Sequence, residues 1–152
     1  MTRHARRTVL CLAMTAASLL EATGCLEVGG GAVEVGWVVR DSEESARNCA
    51  DLGITDIRVT VVPADTEDAS DLCSTGAIGR CTFSCNAGYG ITPFKIPPGD
   101  YYFGLVPLDA NRRPLGPDRC SLPAPVRRNV AQGQLLELGV WQVVVAQEAG
   151  TP

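Results

Sequence analysis

At 152 residues, 45% apolar and 20% charged, the chain is long enough for one domain with a proper core, and two domains would each be small. Its formal charge of −4, from 13 basic and 17 acidic residues, does not suit nucleic acid, which calls for clustered Lys and Arg. The single histidine is His4, so a chain processed beyond it can build neither a Ser-His-Asp nor a Cys-His nucleophile, nor a His-ligated zinc site.

The N-terminus, MTRHARRTVLCLAMTAASLLEATGC, sets Arg3, Arg6 and Arg7 ahead of an apolar run from Thr8 to Leu20, with small residues after it. That order reads as a secretory signal peptide over residues 1–24. The run is too short to cross roughly 30 Å of hydrocarbon as a helix. The adjacent Arg6 and Arg7 also fit a twin-arginine leader. The site Ala22-Thr23-Gly24-Cys25 resembles the lipobox of bacterial lipoproteins, with Ala22 where that family favours Leu. The resemblance implies that Cys25 is acylated, becomes the new N-terminus and ties the chain to a membrane. The corresponding location is the outer membrane, the periplasmic side or the cell surface. Cleavage near Ala16-Ala17 or Gly24 without a lipid is the alternative. Processing at Cys25 leaves ten basic and sixteen acidic residues, a net charge of −6.

Residues 25–31 are Gly-rich and read as a short tether. Ala32 to Arg40 alternates, with Val33, Val35, Trp37 and Val39 on one side, and reads as a half-buried first strand with Trp37 in the core. Asp41 with Glu44 three residues on, and Gly53 as a stop, predict a short helix within Ser42–Leu52. Thr55 to Val62 turns Ile57, Val59 and Val61 inward and is ended by Pro63. Ala64 to Arg80 is an acidic, then Gly-rich loop. Its Asp65, Glu67, Asp68 and Asp71 lack the glycine and the bidentate Glu of an acidic calcium loop, so the loop reads as solvated and no metal or other cofactor is expected.

Cys81, Phe83 and Cys85 share one face of a short strand, and Ile91 to Ile96 predicts a brief edge strand broken by Pro93. The stretch Ile96 to Gly116 reads as a central hairpin. Pro97-Pro98-Gly99 sets the start of a strand that runs to Leu108, with Tyr101, Phe103, Leu105 and Pro107 as its core face. Val126 to Val130 and Gln134 to Val145 complete the set. Gly139 is a candidate bulge that re-phases Leu136 and Leu138 with Trp141, Val143 and Val145. About seven strands at turn-punctuated intervals predict an all-β fold, an antiparallel β-sandwich over residues 32–146 with one short helix and a disordered tail from residue 147 to residue 152.

Setting aside Cys11 and Cys25, five cysteines remain, and in an exported chain they are disulfide material before they are metal ligands. The preferred pair is Cys49 with Cys85, tying the helix end to a core strand; Cys73 with Cys81, closing the Gly-rich loop, is the second choice, with Cys120 left over. Because five is odd, one thiol is free or pairs between molecules, or Cys25 carries no lipid and six cysteines make three bridges.

Pro98-Gly99-Asp100-Tyr101, within the order of a strand, a loop, Phe-x-Cys, apolar-Pro-Pro-Gly-x-Tyr, a strand and Leu-Asp-Ala-Asn, resembles the signature of prealbumin-like and carboxypeptidase-regulatory-type sandwich domains. Trp37, the run Cys49-Ala50-Asp51-Leu52-Gly53 and Phe83-Ser84-Cys85 also resemble features of secreted lipoproteins of myxobacterial type. The resemblance implies a non-catalytic, immunoglobulin-like accessory module. Such a module is expected to bind an envelope protein or a glycan, without nucleic acid, and no catalytic residue is assigned. For a glycan the candidate platforms are Tyr89, Tyr102 and Trp141, with Phe94 beside them. A hydrolase would have to rest on paired carboxylates such as Asp100 with Asp109, or Glu67 with Asp71.

Overall fold

Strict alternation along the chain becomes two packed sheets. The computed structural model describes residues 28–66 and 69–146, so the leader, Cys25, Glu67, Asp68 and the tail lie outside the described residues. The strands are β1 (Ala32–Asp41), β2 (Asp56–Pro63), β3 (Thr82–Ser84), β4 (Tyr89–Ile91), β5 (Gly99–Leu108), β6 (Cys120–Ser121), β7 (Val126–Val130) and β8 (Leu135–Val145). One sheet has the order β4-β1-β8-β6 and the other β3-β2-β5-β7. The protein is an all-β sandwich.

Apart from β2 and β3, every consecutive pair of strands lies in different sheets. The hairpin that Ile96–Gly116 predicts is therefore cut to a short fold-back after β5, with the Asp109 N–H donating to the Arg113 carbonyl and the Leu115 N–H to the Pro107 carbonyl at 3.0 Å. The turn is there, with Asp109 Oδ1 accepting the N–H groups of Asn111 and Arg113 at 2.8 Å, but only a single bridge joins Leu108 to Pro114. The chain then crosses to β6. β5 is central by a different route, pairing with β2 on one side and β7 on the other.

The pairing is antiparallel throughout except between β1 and β8, which run parallel from Ala32↔Leu135 to Asp41↔Val145. Parallel neighbours cannot be closed by a tight turn, and here the whole domain separates them. Gly139 takes φ 75°, and the register slips between Glu34 and Gly36. This bulge turns Trp141, Val143 and Val145 inward onto the same core as Leu136 and Leu138.

The inward residues of β1, β2, β5 and β8 fill the space between the sheets, with Val33, Val35, Ile57, Val59, Val61, Phe103 and Val143 completely buried. Close-packed burial of this kind is the main term holding the sheets together. Two buried aromatic side chains have their polar ends satisfied: the Trp37 indole N–H donates to the Cys85 carbonyl at 2.8 Å and the Tyr101 hydroxyl to that of Pro97 at 2.8 Å. Cys49 is bonded to Cys85 and Cys73 to Cys81, and Cys120 is a buried free thiol.

Two elements differ from the sequence pattern. The helix predicted over Ser42–Leu52 is reduced to one 3-10 turn, Ala50–Leu52, and the described residues contain no α-helix. Asp41 is the buried last residue of β1 rather than a helix cap. Its Oδ1 accepts the N–H groups of Glu43 and Ser45 at 2.9 Å, its Oδ2 meets Arg47 Nε, and Glu44 sits at φ 62°. The same side-chain chemistry that would start a helix here closes a hooked loop. The edge strand predicted over Ile91–Ile96 lies instead at Tyr89–Ile91, at the sheet edge. Pro93 follows it, and Ile96 makes a single bridge to Gly31.

The Arg47 side chain, and then the N–H groups of Ser45 and Glu43, hold the Asp41 carboxyl below its ordinary value against the opposing effect of burial. A depressed native pKa means that the unfolded chain takes up the proton first as pH falls. The stability that Asp41 supplies is therefore complete above about pH 4, the ordinary carboxyl range, and drains away as pH drops through the lowered native value. In thermal melts across this range, the gap between the native chain and Asp41→Asn is expected to be widest near neutral pH and to close in acid. A gap that grows in acid would contradict the hooked-loop account.

Candidate functional site

Because Val33, Val35, Trp37 and Val39 point inward, the alternate residues of β1 must face out, and β4 and β8 follow the same rule. The register then decides which outward residues meet. Glu34 stands between Ile91 of β4 and Glu137 of β8, and Gly36 between Tyr89 and Val140. Gly36 has no side chain, so a trough runs between the Tyr89 ring and Val140. The resulting open hollow, of about 350 Å³, is lined by Glu34, Gly36, Tyr89, Glu137, Gly139 and Val140.

This trough is apolar where a solvated sheet should be polar. Tyr89 is 57% exposed and Val140 70%, and Ile91 and Leu135 are exposed on the same face. Together they are four of the seven large apolar side chains exposed among the described residues, and such a concentration marks an interaction surface more often than a chance exposure. The two carboxylates at its end oppose each other directly in register. Neither has an ion-pair partner among the described residues. Like charges at facing positions of a sheet are unfavourable, so the pair adds no attraction between β1 and β8.

A second hollow, of about 400 Å³, lies on the other side of Tyr89, where the edges of β3 and β4 meet. Its walls include Phe83, Ile91 and Pro93, with the Arg80 guanidinium stacked 5.3 Å from the Phe83 ring centre. Tyr89 is thus a ridge between two depressions.

No protein-family model, curated protein or solved structure matches the chain.

The three aromatic candidates do not converge. Tyr102, 42% exposed, lies on the other sheet beside Val62 and Arg127. Trp141 is only 7% exposed, its indole N–H donating to the Leu138 carbonyl at 3.1 Å, so it packs the core and offers no platform. Of the three, Tyr89 alone stands on the trough.

The carboxylate pairs do not form either. Asp100 and Asp109 flank opposite ends of β5, which at about 3.3 Å per residue sets them some 30 Å apart. Asp100 is held by Asn129 and Arg127, which lower its pKa. Asp71 is absorbed by the N–H groups of Val61 and Cys73, and its supposed partner Glu67 lies outside the described residues. Among the described residues no three His, Cys, Asp or Glu side chains gather as a metal site. Burial pushes the Cys120 thiol up, away from the reactive thiolate.

Sequence reasoning passed over Glu34, Glu137 and Val140. A usable signal existed, since outward positions of the last strand carry Leu135 and Val140 where polar residues belong.

Proposed function

We propose that the chain is an exported, lipid-anchored and non-catalytic β-sandwich that binds a partner of the cell envelope through the outer face of β4, β1 and β8. The Tyr89–Val140 trough carries this reading, because its walls are apolar, it is concave and it is exposed among the described residues. Two disulfides are compatible with an extracytoplasmic location, and the leader with its lipobox-like Cys25 supports the anchor. The resemblance to prealbumin-like and immunoglobulin-like accessory domains supports a module whose function lies on its surface rather than in catalysis. A carbohydrate ligand is the second reading, favoured by the exposed ring of Tyr89 alone.

The test has two parts. Metabolic labelling with an alkyne fatty acid is expected to mark the native chain and to spare Cys25→Ser. The exported Cys25→Ser chain is expected to associate with isolated cell envelopes and to lose about tenfold in affinity on Tyr89→Ala, the scale of one good aromatic contact. Label on Cys25→Ser would overturn the anchor. Envelope association indifferent to Tyr89→Ala would overturn the assignment of the face, and competition by soluble oligosaccharides would select the carbohydrate reading.

A further inference from the structure

The geometry points to a protonated alkylamine as the group this trough receives, presented as a lysine side chain on an extended segment of a partner protein; the inference rests on the binding-module reading above. Charge complementarity decides the occupant. Glu34 and Glu137 are set side by side on adjacent strands, roughly 4.8 Å apart at the backbone, and both line the hollow. No basic side chain lines the hollow among the described residues; like charges at facing positions of a sheet disfavour each other, and a cation placed between them offsets this.

The rest of the trough selects the kind of cation. Its length is floored by Gly36 and walled by Tyr89 and Val140, which suits an unbranched methylene stem whose charged head emerges at one end. The Tyr89 ring gives that stem an apolar wall. A compact ammonium has three donors to share between two carboxylates, whereas the planar guanidinium fork of arginine matches one carboxylate bidentately. A divalent cation is poorly served, because calcium takes six to eight oxygens and no third acidic side chain joins the pair among the described residues.

The second hollow beyond Tyr89 continues the surface to the free edge of β4. An extended segment lying along that edge would drop alternate side chains into the two depressions. A lysine on a chain therefore fits the whole surface, where a free amine would use only half of it.

The experiment titrates the exported Cys25→Ser chain with three capped pentapeptides that differ only in a central lysine, norleucine or arginine, followed by backbone amide shifts. The lysine peptide is expected to bind saturably, to shift the amides of Gly36, Gly139 and Val140, and to exceed norleucine by about tenfold, the scale of one charge-assisted hydrogen bond. Arginine is expected to fall between them. Glu34→Gln with Glu137→Gln should bring lysine down to the norleucine level while holding or raising the thermal midpoint, since the repulsion is gone. Equal binding of lysine and norleucine, no saturable shift at the trough, or full lysine affinity in the double variant would each overturn the inference. If envelope association still depends on Tyr89 while the lysine peptide fails to compete for it, the amine assignment falls and the binding face stands.

Discussion

Replacing Cys49 and Cys85 together by alanine is expected to lower the unfolding free energy by about 4 kcal/mol, against about 2.5 kcal/mol for the same change at Cys73 and Cys81. The difference follows from loop length. The first bridge closes a separation of 36 residues and the second one of 8, and the entropy removed from the unfolded chain grows with the logarithm of the loop. Packing widens the gap. Cys49 and Cys85 are both buried, and the Cys85 carbonyl accepts the indole N–H of Trp37. The bridge therefore ties the loop after β1 to the turn that fixes the largest side chain of that strand. Denaturant unfolding of the two double variants measures both numbers. Equal losses, or a larger loss at Cys73–Cys81, would show that the folded state rather than the unfolded chain sets the effect.

How far the sequence carries the fold depends on the range of the interaction. The inward faces of β1, β2, β5 and β8 are legible because Val33, Ile57, Phe103 and Val143 belong to period-2 runs that any sheet must bury. The bulge at Gly139 is legible for the same reason, since the alternation breaks there and resumes. Asp41 is a different case. A carboxylate that accepts N–H groups two and four residues on serves a helix start and a strand-end hook alike, and its burial decides between them. The crossings between sheets are not local at all, so the turn after β5 reads as a hairpin although its partner strand lies elsewhere.

The candidate site is the least legible part. Tyr89 sits in a strand of three residues, too short for a period to show. The meeting of Glu34 with Glu137 depends on a parallel pairing between the first and last strands, which nothing in either stretch announces. What a one-dimensional reading could have caught is the apolarity of Leu135 and Val140 at two outward positions of one strand, because apolar residues that share a face form a patch and patches mark contact surfaces.

Gly90→Val is expected to cost about 3 kcal/mol, the upper end of the range for overpacking, and to take the Tyr89 ridge with it. In the three residues of β4, Gly90 is the inward position, and it carries no side chain. The Phe83 ring from the other sheet lies against its backbone, so a Cβ there would meet ring atoms at 2.4, 2.6 and 2.7 Å. The ring cannot retreat, because it is buried beside Trp37, with ring centres 6.5 Å apart, under the stacked Arg80 guanidinium. Either Phe83 leaves the core or β4 leaves β1. The two outcomes separate in a double-mutant cycle with Phe83→Leu. If the clash is the cause, the smaller side chain recovers part of the loss, and the pair departs from additivity by 1 kcal/mol or more in the favourable direction, within the range for residues in contact. Hydrogen exchange then localises the damage, with loss of protection at Val35 and Gly90 expected if the strand peels away. Additive costs, or a Gly90→Val variant within about 0.5 kcal/mol of the native chain, would mean that the edge is held by its ladder alone. Because Tyr89 and Ile91 flank this glycine and point the other way, the seat of Phe83 on Gly90 is what aims them outward.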